Sequence, residues 1–163
     1  MTYDSVNGNL VVHGGYSNRS DAFKYNISSN TWYEIATGGV EGMYSHTAMY
    51  DSTSERVYLL SGFHQEGNKT SLTTLNPTTG ATTVLLPSPA RARFSGYSST
   101  KKSSYFAAGE SASGYTSSLW KLDELGSWTK FSTPFSTRGY VGSVYASDRS
   151  EEHTSELQSR ITL

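Results

Sequence analysis

The chain has 163 residues, room for one ordinary domain or a piece of a larger one, and its 13 basic and 14 acidic residues leave a net charge of −1. That balance argues against electrostatic binding to nucleic acid or to an anionic membrane surface. Zero cysteines exclude a disulfide framework, a thiolate metal cage and a thiol nucleophile, and no apolar run approaches the ~18 residues of a membrane-spanning helix.

Along the chain, Tyr3-Asp4-Ser5 opens a first short run, and an Asn7-Gly8 turn signal separates it from VVHGG (11–15). A polar stretch, YSNRSD (16–21), leads to further strand-like runs that carry Tyr25 and Trp32. The second period repeats the opening as Tyr50-Asp51-Ser52, 47 residues on, and contains four predicted strands. These are SHTAMYD (45–51), RVYLLSGF (56–63), TSLTTLN (70–76) and ATTVLL (81–86), with Pro77-Thr78-Thr79-Gly80 as a turn. In the third, Tyr97-Ser98 lies another 47 residues along and YFAAG (105–109) ends on a glycine. GYVGSVYAS (139–147) begins a fourth. Gly15, Gly62 and Gly109 keep the same 47-residue spacing, each closing a short apolar run.

Two landmarks sharing one period mark an internal repeat, and no sustained 3.6-residue pattern runs through it. Four strands per ~45–50 residues is the arithmetic of a β-propeller blade. An immunoglobulin-like sandwich would not keep this period. The predicted fold is all-β: a partial propeller of about three four-stranded blades plus the first strand of a fourth. A glycine doublet lets neighbouring backbone come close, and Tyr and Trp rings suit packing between blades. A phosphate-cradling role for Gly14 and Gly15 lacks the following helix and lysine.

In the first period Gly14-Gly15 precede Tyr25 by ten residues, and Trp32 follows seven later. In the third, Gly109 is followed by Leu122 and Trp128. This spacing resembles the Kelch repeat, whose fold is a ring of four-stranded blades. The resemblance covers residues 2–148, with repeats at about 1–43, 44–90, 91–137 and the start of the next at 138–148. The second period departs from it, with Ser61-Gly62 for the doublet, Leu75 for the Tyr and no Trp, and so does the third, with Ala108-Gly109 for the doublet and Leu122 for the Tyr. Because a closed propeller needs about four blades or more, residues 1–148 are expected to be a propeller fragment. The tail, 149–163, leaves the period. Its stretch RSEEHTSELQSR (149–160) resembles the conceptual translation of a sequencing adapter and is expected to be an artefact without function.

Chemistry-bearing residues are few. His13 alternates within a strand and reads as packed. His46, in GMYSHTAMY (42–50), reads as a hydrogen-bonded residue closing an inter-blade loop, and His64 falls in the polar stretch FHQEGNK (63–69). Single acids at Asp4, Asp51 and Asp123 fit turns. Neither a nucleophile elbow nor an HExxH motif is present. No catalytic, metal or cofactor-binding residue is assigned, and no cofactor is expected. The alternative is a carbohydrate-active or galactose oxidase-like enzyme, since enzymes of that kind use the same propeller. The zero cysteine count denies this segment the Tyr–Cys crosslink of the copper enzyme.

The main expectation is a non-enzymatic protein-interaction module within a larger protein. Loops at one end of the blades bring Tyr16, Arg19, His64, Gln65 and Tyr115, and inter-blade segments bring Tyr44, Arg91, Arg93 and Arg138. In Kelch domains these loop sets share the partner-binding face, and Tyr and Arg are enriched at hot spots. Glycosylation sequons stand at Asn18, Asn26 and Asn68, while Pro77 blocks Asn76. VVHGGY (11–16) and MYSHTAMY (43–50) resemble the attractin-like and multiple-EGF-like-domain subgroup, which implies an extracellular protein or the ectodomain of a membrane protein. A cytoplasmic Kelch adaptor is the alternative. A protein partner on the loop face is expected, without nucleic acid or direct membrane contact.

Overall fold

A computed structural model describes residues 1–17, 19–37, 39–64, 67–85, 87, 95–99, 103–107, 110–111, 114–123, 127–134 and 136–137. Among these the chain is all-β. Strands β1 (Thr2–Asp4), β2 (Asn9–His13), β3 (Ala22–Asn26) and β4 (Thr31–Ile35) form sheet 1. Sheet 2 contains β5 (Thr47–Asp51), β6 (Arg56–His64), β7 (Gly67–Leu75) and β8 (Thr82–Leu85). Then follow β9 (Ser95–Ser99), β10 (Ser103–Ala107), β11 (Glu110–Ser111), β12 (Gly114–Tyr115), β13 (Leu119–Leu122) and β14 (Trp128–Phe131). Of these, β9, β10, β13 and β14 make sheet 3, and β11–β12 is a short ribbon between β10 and β13. Neighbours in every sheet are antiparallel and consecutive, apart from that ribbon. First strands lie side by side, β1 with β5 and β5 with β9. This is an all-β, β-propeller-like arrangement.

The turns are built by side chains that cap their own backbone. Asp4 Oδ1 accepts from the N–H groups of Val6 and Asn7 at 3.1 and 3.0 Å, and Asp51 Oδ1 accepts from Thr53 N at 3.0 Å. On the same side of the sheets, Asn26, Asn76 and Asp123 accept from Ser29, Thr79 and Ser127 N–H groups at 2.8 to 2.9 Å. These are Asx-type turns, in which a short polar side chain replaces a ladder partner. Asp4 is fully buried; its second oxygen accepts from Asn7 Nδ2 at 2.9 Å.

Period-two alternation decides which face each strand buries. In β2, Asn9, Val11 and His13 are buried while Leu10 and Val12 are half-buried. Val11, Ala22, Ile35 and Val40 pack on Tyr50, Val57, Leu59 and Leu75, which joins sheet 1 to sheet 2. The other face of sheet 2 presents Met49, Leu60 and Leu72 to Leu122, with Tyr58, Trp120 and Trp128 packed alongside. The outer strands β4 and β8 are mostly exposed, as edges are.

Two expectations are corrected. Residues 63–64 and 67–69 are paired strand and not loop: β6 extends to His64 and β7 starts at Gly67, with Phe63 opposite Asn68 and His64 opposite Gly67. Pairing resumes beyond a bulge between Leu60 and Gly62, so the polar residues continue a ladder. Trp32 does not pack between sheets. It pairs across strands with Tyr25, ring centroids 5.1 Å apart, and stays 56% exposed. Sheet 2 covers the opposite face of sheet 1. Trp128, by contrast, does sit at an inter-sheet contact.

Candidate aromatic recognition face

Antiparallel order places the β2–β3 loop, the β4–β5 connection and the tip of the β6–β7 hairpin at one end of sheets 1 and 2. There the connection from sheet 1 to sheet 2 passes at residues 43–46 through a tight gap. Gly15 N–H donates to Met43 O at 3.1 Å, while Tyr44 and Phe63 exchange backbone hydrogen bonds of 3.1 and 2.9 Å. Gly14, at φ 67°, leaves no room for a Cβ because the Met43 carbonyl oxygen lies against it. A Cβ on Gly62 would meet His46 Cβ at 3.0 Å and Tyr44 O at 3.1 Å. The glycine landmarks thus admit a connecting segment from two sides.

This threading aligns three rings. Tyr16 lies 5.6 Å from Tyr44, and Tyr44 lies 5.6 Å from Phe63 in a stacked arrangement. Tyr16 is 83% exposed, whereas Tyr44 and Phe63 are half-buried. The row forms a ridge with an accessible end and a fixed base. Aromatic rings of this kind offer apolar area and, in Tyr, a hydroxyl at little cost in side-chain entropy.

Two histidines lie next to this segment. His13 Nδ1 is 3.4 Å from His46 Nε2, with the rings edge to face at 5.1 Å. One ring donates and the other accepts. The outer ring nitrogen His13 Nε2 is buried without a hydrogen-bond partner, and His46 Nδ1 is buried with the Met43 backbone beside it. Burial is the main cause that lowers both pKa values, His13 to about 4 and His46 to about 3. Asp21 partly opposes the shift at His13, and the neighbouring His13 adds to it at His46. The pair is neutral at pH 7 and acts as an uncharged peg between the sheets.

Of the residues singled out from sequence, Tyr16 and Tyr44 are brought together. Arg19 is exposed in the Tyr16 loop, His64 ends β6 at the same end, and Tyr115 is exposed on β12 at the corresponding end of sheet 3. Tyr25 is half-buried beside Trp32. Gln65, Arg91, Arg93, Arg138, Asn18, Gly109 and the tail lie outside the described residues. Asn68 belongs to β7. The Asn26 amide nitrogen donates to Asn9 Oδ1 at 3.0 Å and its oxygen caps the β3–β4 turn. Phe63 and the His13–His46 contact were not foreseen. Each depends on which strands become neighbours, and the aromatic run flanking Gly62 was the only hint of the first.

No family model matches the chain. Among solved structures it is similar to one described as "Structure of YjhT", with a TM-score of 0.65 at 20% sequence identity. The match covers 81% of this chain and 51% of that one, so the chain spans about half the length of that protein. The likeness is one of fold.

Proposed function

We propose that the chain is a non-enzymatic protein-interaction module of the Kelch type, its three sheets being blades. It belongs to a larger protein and works in an extracellular or membrane-anchored setting. The observation that carries this reading is the Tyr16–Tyr44–Phe63 row, an exposed aromatic ridge on the loop end whose base is held by backbone pairing between two sheets. Rigid, partly exposed Tyr rings are what protein-binding surfaces use for their strongest contacts. Polar neighbours such as Arg19 and Ser20 supply a rim.

The test is site-specific photo-crosslinking. A photoreactive side chain is placed at Tyr16, and in a second variant at Thr53, in the turn at the opposite end of the sheets. Partner proteins should be captured from the Tyr16 position and not from Thr53. Equal capture at both ends, or none at Tyr16, overturns the reading.

A further inference from the structure

The chain's one Asn-Gly pair, Asn7-Gly8, lies in the turn that joins β1 to β2. An asparagine followed by glycine is open to attack by the next backbone nitrogen on its side-chain amide, because glycine has no side chain to shield that nitrogen. Here both reacting groups are tied to Asp4. Gly8 N–H donates to Asp4 O at 3.0 Å, and Asn7 Nδ2 donates to Asp4 Oδ2 at 2.9 Å. Asn7 N–H also donates to Asp4 Oδ1 at 3.0 Å, so the aspartate grips residue 7 by main chain and side chain together. Asp4 is fully buried and lies beside the Tyr50 hydroxyl of sheet 2, whereas Asn7 is exposed to water.

The β5–β6 turn is the same device built from other residues. Asp51 Oδ1 accepts from Thr53 N–H at 3.0 Å and its Oδ2 from Ser54 Oγ at 2.8 Å. Glu55 takes the left-handed conformation at φ 52°, where Gly8 has φ 66°. Ser54 thus supplies the side-chain donor that Asn7 supplies in sheet 1. A hydroxyl satisfies the turn, and its left-handed position accepts a side chain; a Cβ on Gly8 would meet nothing within 4 Å. The turn therefore requires neither the amide nor the glycine, and their combination adds a reactivity that the second turn lacks.

We propose that Asn7-Gly8 is a deamidation site that the folded turn holds in check and whose product unlocks the β1–β2 hairpin. Gly8 N gives up its hydrogen bond and its proton and bonds to Asn7 Cγ. The Cγ–Nδ2 bond then breaks, and the amide leaves as ammonia with the proton that Gly8 released. Water opens the resulting five-membered imide at either carbonyl, leaving aspartate or isoaspartate at position 7. The closed turn opposes this twice. Asp4 O occupies the nucleophile, and the Asp4 carboxylate sits one hydrogen bond from the amide on which negative charge develops. Local opening removes both restraints. Once formed, a carboxylate at position 7 has no proton to give Asp4 Oδ2 and repels it at close range. The isoaspartate form also inserts a carbon into the main chain, which draws Gly8 off Asp4 O and Asn9 out of register with Asp4.

The test ages the whole chain at neutral pH, folded in buffer and unfolded in urea, and follows the mass of each proteolytic peptide. Exchange of NH2 for OH should occur in the unfolded chain at Asn7 ahead of every other asparagine, and at least ~10-fold more slowly at Asn7 in the folded chain. Asn7→Ser, which copies the sheet 2 turn, should keep the wild-type urea midpoint and show no mass gain at that position. Asn7→Asp, one of the two hydrolysis products, should speed amide hydrogen exchange in β1 and β2 by at least ~10-fold while β13 and β14 keep their wild-type rates. Equal ageing rates in the folded and unfolded chains overturn the proposal, as does earlier conversion of another asparagine. So does an Asn7→Asp variant whose β1 and β2 amides exchange as slowly as those of the wild type. None of these outcomes bears on the aromatic ridge, which lies at the other end of the sheets.

Discussion

The imidazoles of His13 and His46, one from a strand of sheet 1 and one from the segment leading into sheet 2, meet at 3.4 Å with their outer nitrogens sealed from solvent. Folding therefore holds both rings in the neutral state. Their folded pKa values, about 4 and about 3, lie below the ordinary 6.5. Between these limits the unfolded chain binds more protons, so stability is fully present above pH 6.5 and is lost as pH falls. At pH 5 the expected loss is about 2 kcal/mol per histidine, on the order of a single core mutation. Urea midpoints at pH 7 and pH 5 read it directly. His13→Gln should roughly halve the difference, and an unchanged one would mean that the His13 imidazole does not titrate on unfolding.

Gly14 should not tolerate a methyl group. Its φ of 67° and the Met43 carbonyl beside it combine backbone strain with a clash against main chain that cannot rotate away. Gly14→Ala is expected to cost about 2–4 kcal/mol, and thermal unfolding measures it. The same change at Gly62 meets His46 Cβ and Tyr44 O at about the limit of contact, so a smaller loss is expected there.

Tyr16→Ala should separate binding from folding. With 83% of the residue exposed, its removal should alter stability by less than about 0.5 kcal/mol. Affinity for a partner captured at the ridge should fall ~30-fold or more. Tyr44→Ala should reduce both, because that ring stacks on Phe63 within the connection. Titration of both variants against the captured partner, beside their melting curves, makes the comparison.

Asp4 supports its turn by accepting two backbone N–H groups and one side-chain amide. Asp4→Ala removes the acceptor of three part-buried hydrogen bonds and should cost about 1–3 kcal/mol. Asp4→Asn keeps one acceptor oxygen and should recover part of that loss. Chemical denaturation of the three proteins tests the order.

Much of this architecture was legible because local rules repeat. The Tyr-Asp-Ser openings of two periods became equivalent strand ends with equivalent Asx turns, and the alternation in VVH and VYLL set their buried faces. The turns at Asn26, Asn76 and Asp123 form a third such series, each acid or amide following the Tyr or Leu of its repeat. Trp32 was misread because its ring type suggests burial, whereas its neighbour decides it: Trp128 has sheet 2 beside it and Trp32 does not. The hairpin at 63–69 was hidden by polar side chains, which a ladder held by backbone bonds accepts without penalty. Tyr16 and Tyr44 were picked out singly, yet the row in which Tyr16 meets Tyr44 and Tyr44 stacks on Phe63 arises only when residues 43–46 are threaded between two sheets.

That threading has a mechanical side. The outermost ring hangs from one sheet and the innermost from the next, with the connecting strap between them. Any molecule that grips the row clasps two neighbouring wedges together, resisting their splaying as a rivet holds two leaves of a fan. Occupancy at the rim would then be felt as stiffness along the whole seam below it.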